Sequence, residues 1–193
     1  MIAAALALVL VAGGAPSRGD LIWAYADARV SRQLDEWFKG GDFPRCVSLL
    51  ATQWAYSPHD YDVVTNLGWL HESMREDDTA LAFYAEYQKL NPDDPDNVLP
   101  VATLYNSRRK FDKVIEVLAP AVANAKASRK PHPNVYRLLG KSYERLNQPE
   151  EAIRIWRLQL VAYPGDLPAE ANIRRVEAKM KSPSPGTPPP AGR

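Results

Sequence analysis

Prolines recur along the chain at an almost constant distance. Pro58, Pro92 and Pro164 stand in the similar phrases SPHD, NPDD and YPGD. Pro92 follows Pro58 by 34 positions, and Pro164 follows Pro92 by two such periods plus four positions. We place the four extra residues in the polar stretch 124–132, where a loop can lengthen. A fixed period of about 20–50 residues is typical of stacked repeat arrays, so this spacing sets the architecture of most of the chain.

Apolar residues follow helical spacing within each period. The positions i, i+3, i+4 and i+7 of an α-helix lie on one face. In residues 61–74 these positions hold Val64, Leu67, Gly68 and His71. After the turn sequence REDD, a second stripe holds Ala80, Leu81, Tyr84 and Tyr87. Pro92 cannot continue that helix, so each period predicts two short antiparallel helices.

The same residues stand at the distances of the tetratricopeptide signature, W-x2-L-G-x2-Y followed by A-x3-F and P. The second repeat (61–94) and the fourth (133–166) fit it best, whereas the third (95–132) lacks the closing proline. The first repeat (27–60) has Leu34 where a small residue is typical. The chain therefore resembles the tetratricopeptide repeat family over residues 27–166. This resemblance implies an all-α fold, a right-handed superhelical solenoid of helix-turn-helix repeats.

Small residues on the first helix of three repeats allow the second helix to approach closely. These residues are Gly68, Ala102 and Gly140. We expect larger side chains to fill the space around the contacts, among them Tyr84, Leu118 and Trp156. After the repeats, residues 167–181 predict one more amphipathic helix, which caps the open end of the stack.

The N-terminal end differs from the repeats. Residues 2–12 are eleven consecutive apolar residues, whereas a membrane-spanning helix needs about 20. We interpret residues 1–14 as a secretory signal peptide, although no lysine or arginine precedes the apolar run. Export to the periplasm or another extracytoplasmic space follows, with membrane contact only if this segment is not cleaved. The alternative is an apolar helix folded onto the repeats of a cytoplasmic protein; residues 15–26 are a lead-in.

The C-terminal end is rich in proline. Residues 182–193 read SPSPGTPPPAGR and contain five prolines and two glycines, which leaves little apolar surface to bury. This composition predicts a disordered tail. A PxxP-type ligand in the polyproline II conformation is the alternative.

Composition and motifs argue against several classes of protein. Lysine and arginine (24) nearly balance aspartate and glutamate (23), and a net charge of +1 gives no field for binding nucleic acid. The histidines and the single cysteine lack metal-ligand spacing, and no phosphate-binding glycine loop or GxSxG motif occurs. We therefore expect no enzymatic activity, cofactor, metal or small-molecule substrate. His71 is predicted to be a packing histidine and Cys46 a buried, inert thiol.

In stacked helical pairs, the first helices line the concave face. Tetratricopeptide proteins commonly hold an extended peptide or a helix there. The groove residues are predicted to be Asp35 and Phe38 in the first repeat, Asp62, Thr65, Trp69 and Glu72 in the second, Thr103 and Asn106 in the third, and Arg137, Lys141 and Arg145 in the fourth.

Two features of this face indicate a partner. Trp69 is a large aromatic residue typical of binding anchors; packing against a neighbouring repeat is the alternative. Arg137, Lys141 and Arg145 follow one another at i, i+4 and i+8, and each like-charged pair costs a helix about 0.2–0.5 kcal/mol. An anionic partner would offset that cost, unless the ladder is a solvated face moderated by Glu144. The groove is thus predicted to be acidic in its first half and basic in its last.

The sequence therefore predicts a non-enzymatic adaptor or scaffold that binds a peptide or helical segment of a partner protein. The alternative is a self-assembling, homo-oligomeric repeat protein of an envelope complex. Some tetratricopeptide proteins hold acidic chaperone tails with a clamp of lysine, asparagine and arginine residues. Only Asn66 matches that clamp, so we do not expect this kind of partner.

Overall fold

The computed structural model describes residues 17–126 and 129–181. Over these two stretches the chain forms nine helices and no strand, and its one isolated bridge joins Lys126 to Arg129. The all-α fold class predicted from the sequence is confirmed. The predicted signal peptide and the proline-rich tail lie outside the described residues. The helices are α1 (Arg18–Lys39), α2 (Phe43–Tyr56), α3 (Tyr61–Ser73), α4 (Asp77–Leu90), α5 (Leu99–Ser107), α6 (Phe111–Ala123), α7 (Pro133–Arg145), α8 (Pro149–Ala162) and α9 (Leu167–Lys181).

Contacts between Cα atoms divide the chain within α2, into an N-terminal unit, Met1–Leu49, and a C-terminal unit, Leu50–Arg193. In the N-terminal unit, Cys46 is buried, and its thiol donates to the backbone oxygen of Leu34 at 3.8 Å. Burial raises the pKa of the Cys46 thiol, and the charge of Asp42 adds to that effect. The thiol is therefore predominantly protonated at neutral pH and a poor nucleophile.

The helix α1 is longer than the other described helices. It has 22 residues, whereas α8 has 14 and α9 has 15. Its less exposed residues follow helical spacing from Ala26 to Trp37, but its N-terminal part carries large apolar side chains on the surface. These exposed residues are Leu21, Ile22, Trp23 and Tyr25.

The turn inside each helical pair has the same backbone geometry. One residue in each turn has a positive φ, the left-handed conformation that commonly ends a helix. These residues are Gly41 (74°), Arg75 (66°), Arg109 (58°) and Asn147 (58°). The first two of these residues, and the second and third, are 34 positions apart, which is also the distance from Pro58 to Pro92. The third and fourth are 38 positions apart. The backbone thus repeats with the period that the prolines predict, and the lengthening falls between Arg109 and Asn147.

In the C-terminal unit, two glycines allow close contact between paired helices. A Cβ atom added at Gly68 of α3 would lie 2.3 Å from the ring of Tyr84 on α4. At Gly140 of α7, it would lie 2.6 Å from Nε1 of Trp156 on α8. Real Cβ contacts are longer than this, so neither position accepts a side chain without movement of the opposite ring. Each glycine lies 16 positions before the aromatic residue that packs on it. In the third repeat, Ala102 lies 16 positions before Leu118.

The last helix, α9, packs on α8 through Ala169 and Val176, which are buried. It would be the first helix of a fifth repeat, because its residues lie one period after those of α7. However, the position equivalent to Gly140 holds Arg174, which pairs with Glu170 at 3.4 Å. The position equivalent to Tyr143 holds Glu177, which pairs with Arg157 at 3.2 Å. Two positions that are small or aromatic in α7 are therefore charged in α9, and its role as a cap of the repeat stack stays a prediction.

Candidate functional site

A recess lies between α5 and α7, the first helices of the third and fourth repeats. Its volume is about 350 Å³. Two half-buried leucines, Leu99 and Leu138, contribute apolar surface, and the remaining lining is polar or basic. The structure brings together four of the predicted groove residues here: Thr103, Asn106, Arg137 and Lys141. A recess that combines two leucines with several hydrogen-bonding groups suits a short peptide segment.

The helices themselves place these side chains. α5 begins at Leu99 with Pro100 in its first turn, where the missing N–H of proline costs no helical hydrogen bond. The first turn of α7 likewise contains proline, Pro133, and the side chain of His132 accepts from the backbone N–H of Asn134 at 3.2 Å. Both helices therefore begin with a proline in the first turn, and α7 also has a side-chain N-cap.

The three cations on α7 differ in their contacts. Arg137 is half-buried and donates to the amide oxygen of Asn134 one turn earlier. Lys141 and Arg145 are exposed and extend from the recess along the helix. All three lie on one face of α7, since they are four residues apart.

Glu144, the one carboxylate on α7, forms its hydrogen-bonded ion pair with a cation outside this ladder. Arg175 of α9 donates to its two oxygens at 2.6 and 2.8 Å. This hydrogen-bonded pair with Arg175 lowers the pKa of Glu144, so the carboxylate stays charged and committed to Arg175. Arg175 occupies the position one period after Lys141, and the groove stripe predicted from the sequence does not include it.

The second-repeat residues predicted for the groove lie on α3. Asp62 is exposed, and Thr65 donates to the backbone oxygen of Tyr61 at 2.8 Å. Trp69 is 48% exposed. Glu72 is half-buried, and its carboxylate accepts from the hydroxyl of Tyr84 at 2.7 Å. Burial raises the pKa of Glu72, while the hydrogen bond from Tyr84 opposes that rise.

Arg108 joins the second repeat to the third. It follows α5 directly and donates to both carboxylate oxygens of Asp77 at the start of α4, at 2.7 and 2.5 Å, and to the backbone oxygen of Glu72 at 2.9 Å. The hydrogen bond from Arg108 lowers the pKa of Asp77. This link was not predicted from the sequence, because Arg108 and Asp77 lie 31 positions apart and share no motif.

The first-repeat residues Asp35 and Phe38 belong to α1, in the N-terminal unit. Phe38 is 45% exposed, and its ring packs edge-to-face on Phe43 with centroids 5.6 Å apart. Phe38 is thus part of a small aromatic contact within its own helical pair. A partner-binding role for these two residues stays a prediction.

His71 is buried in the second repeat, where its ring stacks on Phe83 with centroids 5.5 Å apart. Its Nδ1 atom lies 2.6 Å from the carboxylate of Glu76. These contacts account for the histidine as a packing residue. Over residues 17–126 and 129–181, no cluster of three or more histidine, cysteine, aspartate or glutamate side chains could hold a metal ion. None of the helices in those stretches is both long and apolar enough to cross a membrane.

Solved structures of the protein MamA, a tetratricopeptide-like helical repeat protein, resemble this chain. One crystal structure of MamA has a TM-score of 0.56 and 16% identity, and the match covers 76% of this chain and 84% of the MamA chain. MamA from Desulfovibrio magneticus RS-1 has a TM-score of 0.55 and 15% identity, over 79% and 84% of the two chains. No protein-family model matches the sequence, and no curated protein matches it. Because the identities are low, the likeness shows a shared helical-repeat fold alone.

Proposed function

We propose that this chain is a non-enzymatic scaffold that holds a peptide or helical segment of a partner protein on the face made by its first helices. The recess between α5 and α7 carries this proposal. It joins two leucines to hydroxyl, amide and cationic groups from two successive repeats. The helical-repeat fold supports it by analogy, since such stacks present extended surfaces to partners.

The test is an affinity capture from the native cell, analysed by mass spectrometry. The variant Trp69→Ala with Arg137→Glu alters the first-helix face, and circular dichroism checks that it folds. A control, Arg154→Glu alone, makes the same change in net charge at an exposed cation on the second helix α8. A partner captured by wild type and by the control, but lost from the groove variant, supports the proposal. Partners retained by all three proteins place the interface elsewhere.

Self-association is a second candidate function, favoured by the apolar surface of α1. Trp23 and Tyr25 are 62% and 68% exposed, and Leu21 and Ile22 beside them are 57% and 60% exposed. Exposed apolar clusters of this kind mark contact surfaces. Size-exclusion chromatography with light scattering tests the idea. Trp23→Ser with Tyr25→Ser should convert an oligomer into a monomer, whereas a wild-type monomer at all concentrations excludes it.

We also propose that residues 1–14 direct export. The run of eleven apolar residues followed by small residues supports this. Fractionation of the native cell, with mass spectrometry of the mature N-terminus, tests it. Cytoplasmic protein that begins at Met1 would contradict it.

A further inference from the structure

The lining of the α5/α7 recess has one sign of charge. Of its seven residues, Arg137 and Lys141 are basic and the others are neutral. α5, with the sequence LPVATLYNS, contains no charged residue. Arg145, one turn beyond Lys141, continues the cationic face of α7. The surface presented to a ligand is therefore positive, although the whole chain carries a net charge of only +1.

Two carboxylates, one on α7 and one on α4, are each bound by an arginine that lies outside the recess. Glu144 is turned to Arg175 of α9, which binds it through two hydrogen bonds. Asp77 is held in the same way by Arg108, at the end of α5. Repulsion between like charges four residues apart on a helix is unfavourable, and a bound anionic ligand relieves it.

Building on the proposed function, we propose that this recess receives an acidic segment of a partner protein. An apolar side chain of the segment packs between Leu99 and Leu138. Carboxylates on either side of it pair with Arg137, Lys141 and Arg145. The amides of Asn106 and Asn134 and the hydroxyl of Thr103 are within the same recess and can bond to the backbone of an extended chain.

The probe for this inference is a fluorescein-labelled peptide of about twelve residues, in which one leucine interrupts glutamates and aspartates. Two matched peptides carry glutamine and asparagine, or lysine, in place of the acidic residues. Fluorescence polarisation measures binding. We expect the acidic peptide to bind about tenfold more tightly than the neutral one, and its affinity to fall when salt is raised from about 0.05 M to about 0.5 M, because exposed charges are screened.

Two groove variants and one control identify the site. Lys141→Glu with Arg145→Glu should weaken binding of the acidic peptide at least about tenfold, because the cationic pairs are replaced by repulsion. The control Lys89→Glu with Arg154→Glu makes the same change in net charge on α4 and α8, and should weaken binding less than about twofold. Glu144→Gln releases Arg175 and should strengthen binding about two- to threefold, a gain that general loss of structure could not produce.

The outcomes separate this inference from the proposed function. If the neutral peptide binds as tightly as the acidic one and the groove variant weakens both, the groove binds peptides but the acidic preference is wrong. If the acidic peptide does not bind up to about millimolar concentration, or a single-stranded oligonucleotide displaces it, the acidic-segment inference is also wrong. Loss of a native partner from the Trp69→Ala, Arg137→Glu variant would in either case leave the scaffold function standing. Equal weakening by groove and control variants overturns the assignment to this recess.

Discussion

The second and fourth repeats differ from the third in how their two helices meet. In the second and fourth, a glycine faces an aromatic ring, Tyr84 or Trp156, with no room for even a methyl group. In the third, Ala102 faces the smaller Leu118, and both are fully buried. The third repeat also contains Pro120 within α6 and is four residues longer. Two tightly packed pairs thus flank a less regular one.

Three cavities of the described structure take part of their lining from the irregular third repeat. The recess between α5 and α7 draws Thr103 and Asn106 from it. A second cavity of about 330 Å³ includes Val117 and Pro120, and a third of about 420 Å³ includes Val122. The repeat that departs from the common pattern thus contributes to the lining of all three cavities, one of which is the recess between α5 and α7.

The largest expected effect is at Gly140. Gly140→Leu places a side chain where Trp156 already lies, and should lower the free energy of unfolding by about 3 kcal/mol. Urea denaturation monitored by circular dichroism measures the loss. At the equivalent position of the third repeat we expect alanine to be preferred over glycine. Ala102→Gly should lower the free energy of unfolding by about 1 kcal/mol, because it removes a methyl group that fits there. A neutral Gly140→Ala variant would contradict the distinction between tight and irregular pairs.

The next effect concerns the hydroxyl of Tyr84, which has no counterpart on Leu118. Tyr84→Phe removes the hydrogen bond to Glu72 and leaves a half-buried carboxylate without that donor. We expect a loss of about 1–2 kcal/mol of unfolding free energy. Tyr136→Phe is a suitable comparison in the fourth repeat, because its ring is buried there as well. Equal losses from both substitutions would show that the Glu72 contact is not special.

A pH dependence follows from the raised pKa of Glu72. Because burial makes its folded-state pKa higher than the ordinary value of 4.5, the folded protein holds this proton more tightly than the unfolded chain does. Glu72 therefore reduces stability progressively as the pH rises from about 4.5 through its folded pKa. Glu72→Gln keeps an oxygen that accepts from Tyr84 and removes the charge. The variant should melt at a higher temperature than wild type at pH 7, with a difference that shrinks toward pH 4; a constant difference would contradict this cause.

The smallest effects are in the turns, which are alike in all three repeats of the C-terminal unit. Arg75 and Arg109 have the positive φ that glycine adopts without strain. Arg75→Gly and Arg109→Gly should each raise the free energy of unfolding by about 0.5–1 kcal/mol. Asn147→Gly should change it less, since asparagine tolerates this conformation. Thermal melts compare the three; a gain at Arg75 but none at Arg109 would show that the irregularity of the third repeat extends to its turn.

The features that recur with the period could be predicted from the sequence. Gly68 and Gly140 occupy the same place in the second and fourth repeats, and each meets the aromatic residue that follows at the same interval. The period also placed Thr103, Asn106, Arg137 and Lys141 on the face where the recess lies. The pairs Arg108–Asp77 and Arg175–Glu144 could not be predicted, because they depend on how one helix pair is rotated on the next. Long arginine side chains reach across that boundary, and no spacing rule within a repeat fixes their partners.

The charged positions of α9 have a consequence for how such a chain can grow by gene duplication. α9 corresponds to the first helix of a repeat, so an added repeat would place a second helix against it. That helix would meet Arg174 and Glu177 at positions where the other repeats have small or apolar residues. A duplicated pair inserted ahead of α9 would instead meet surfaces already complementary to its own. We therefore expect a lengthened array to gain its extra helical pairs ahead of α9 rather than after it.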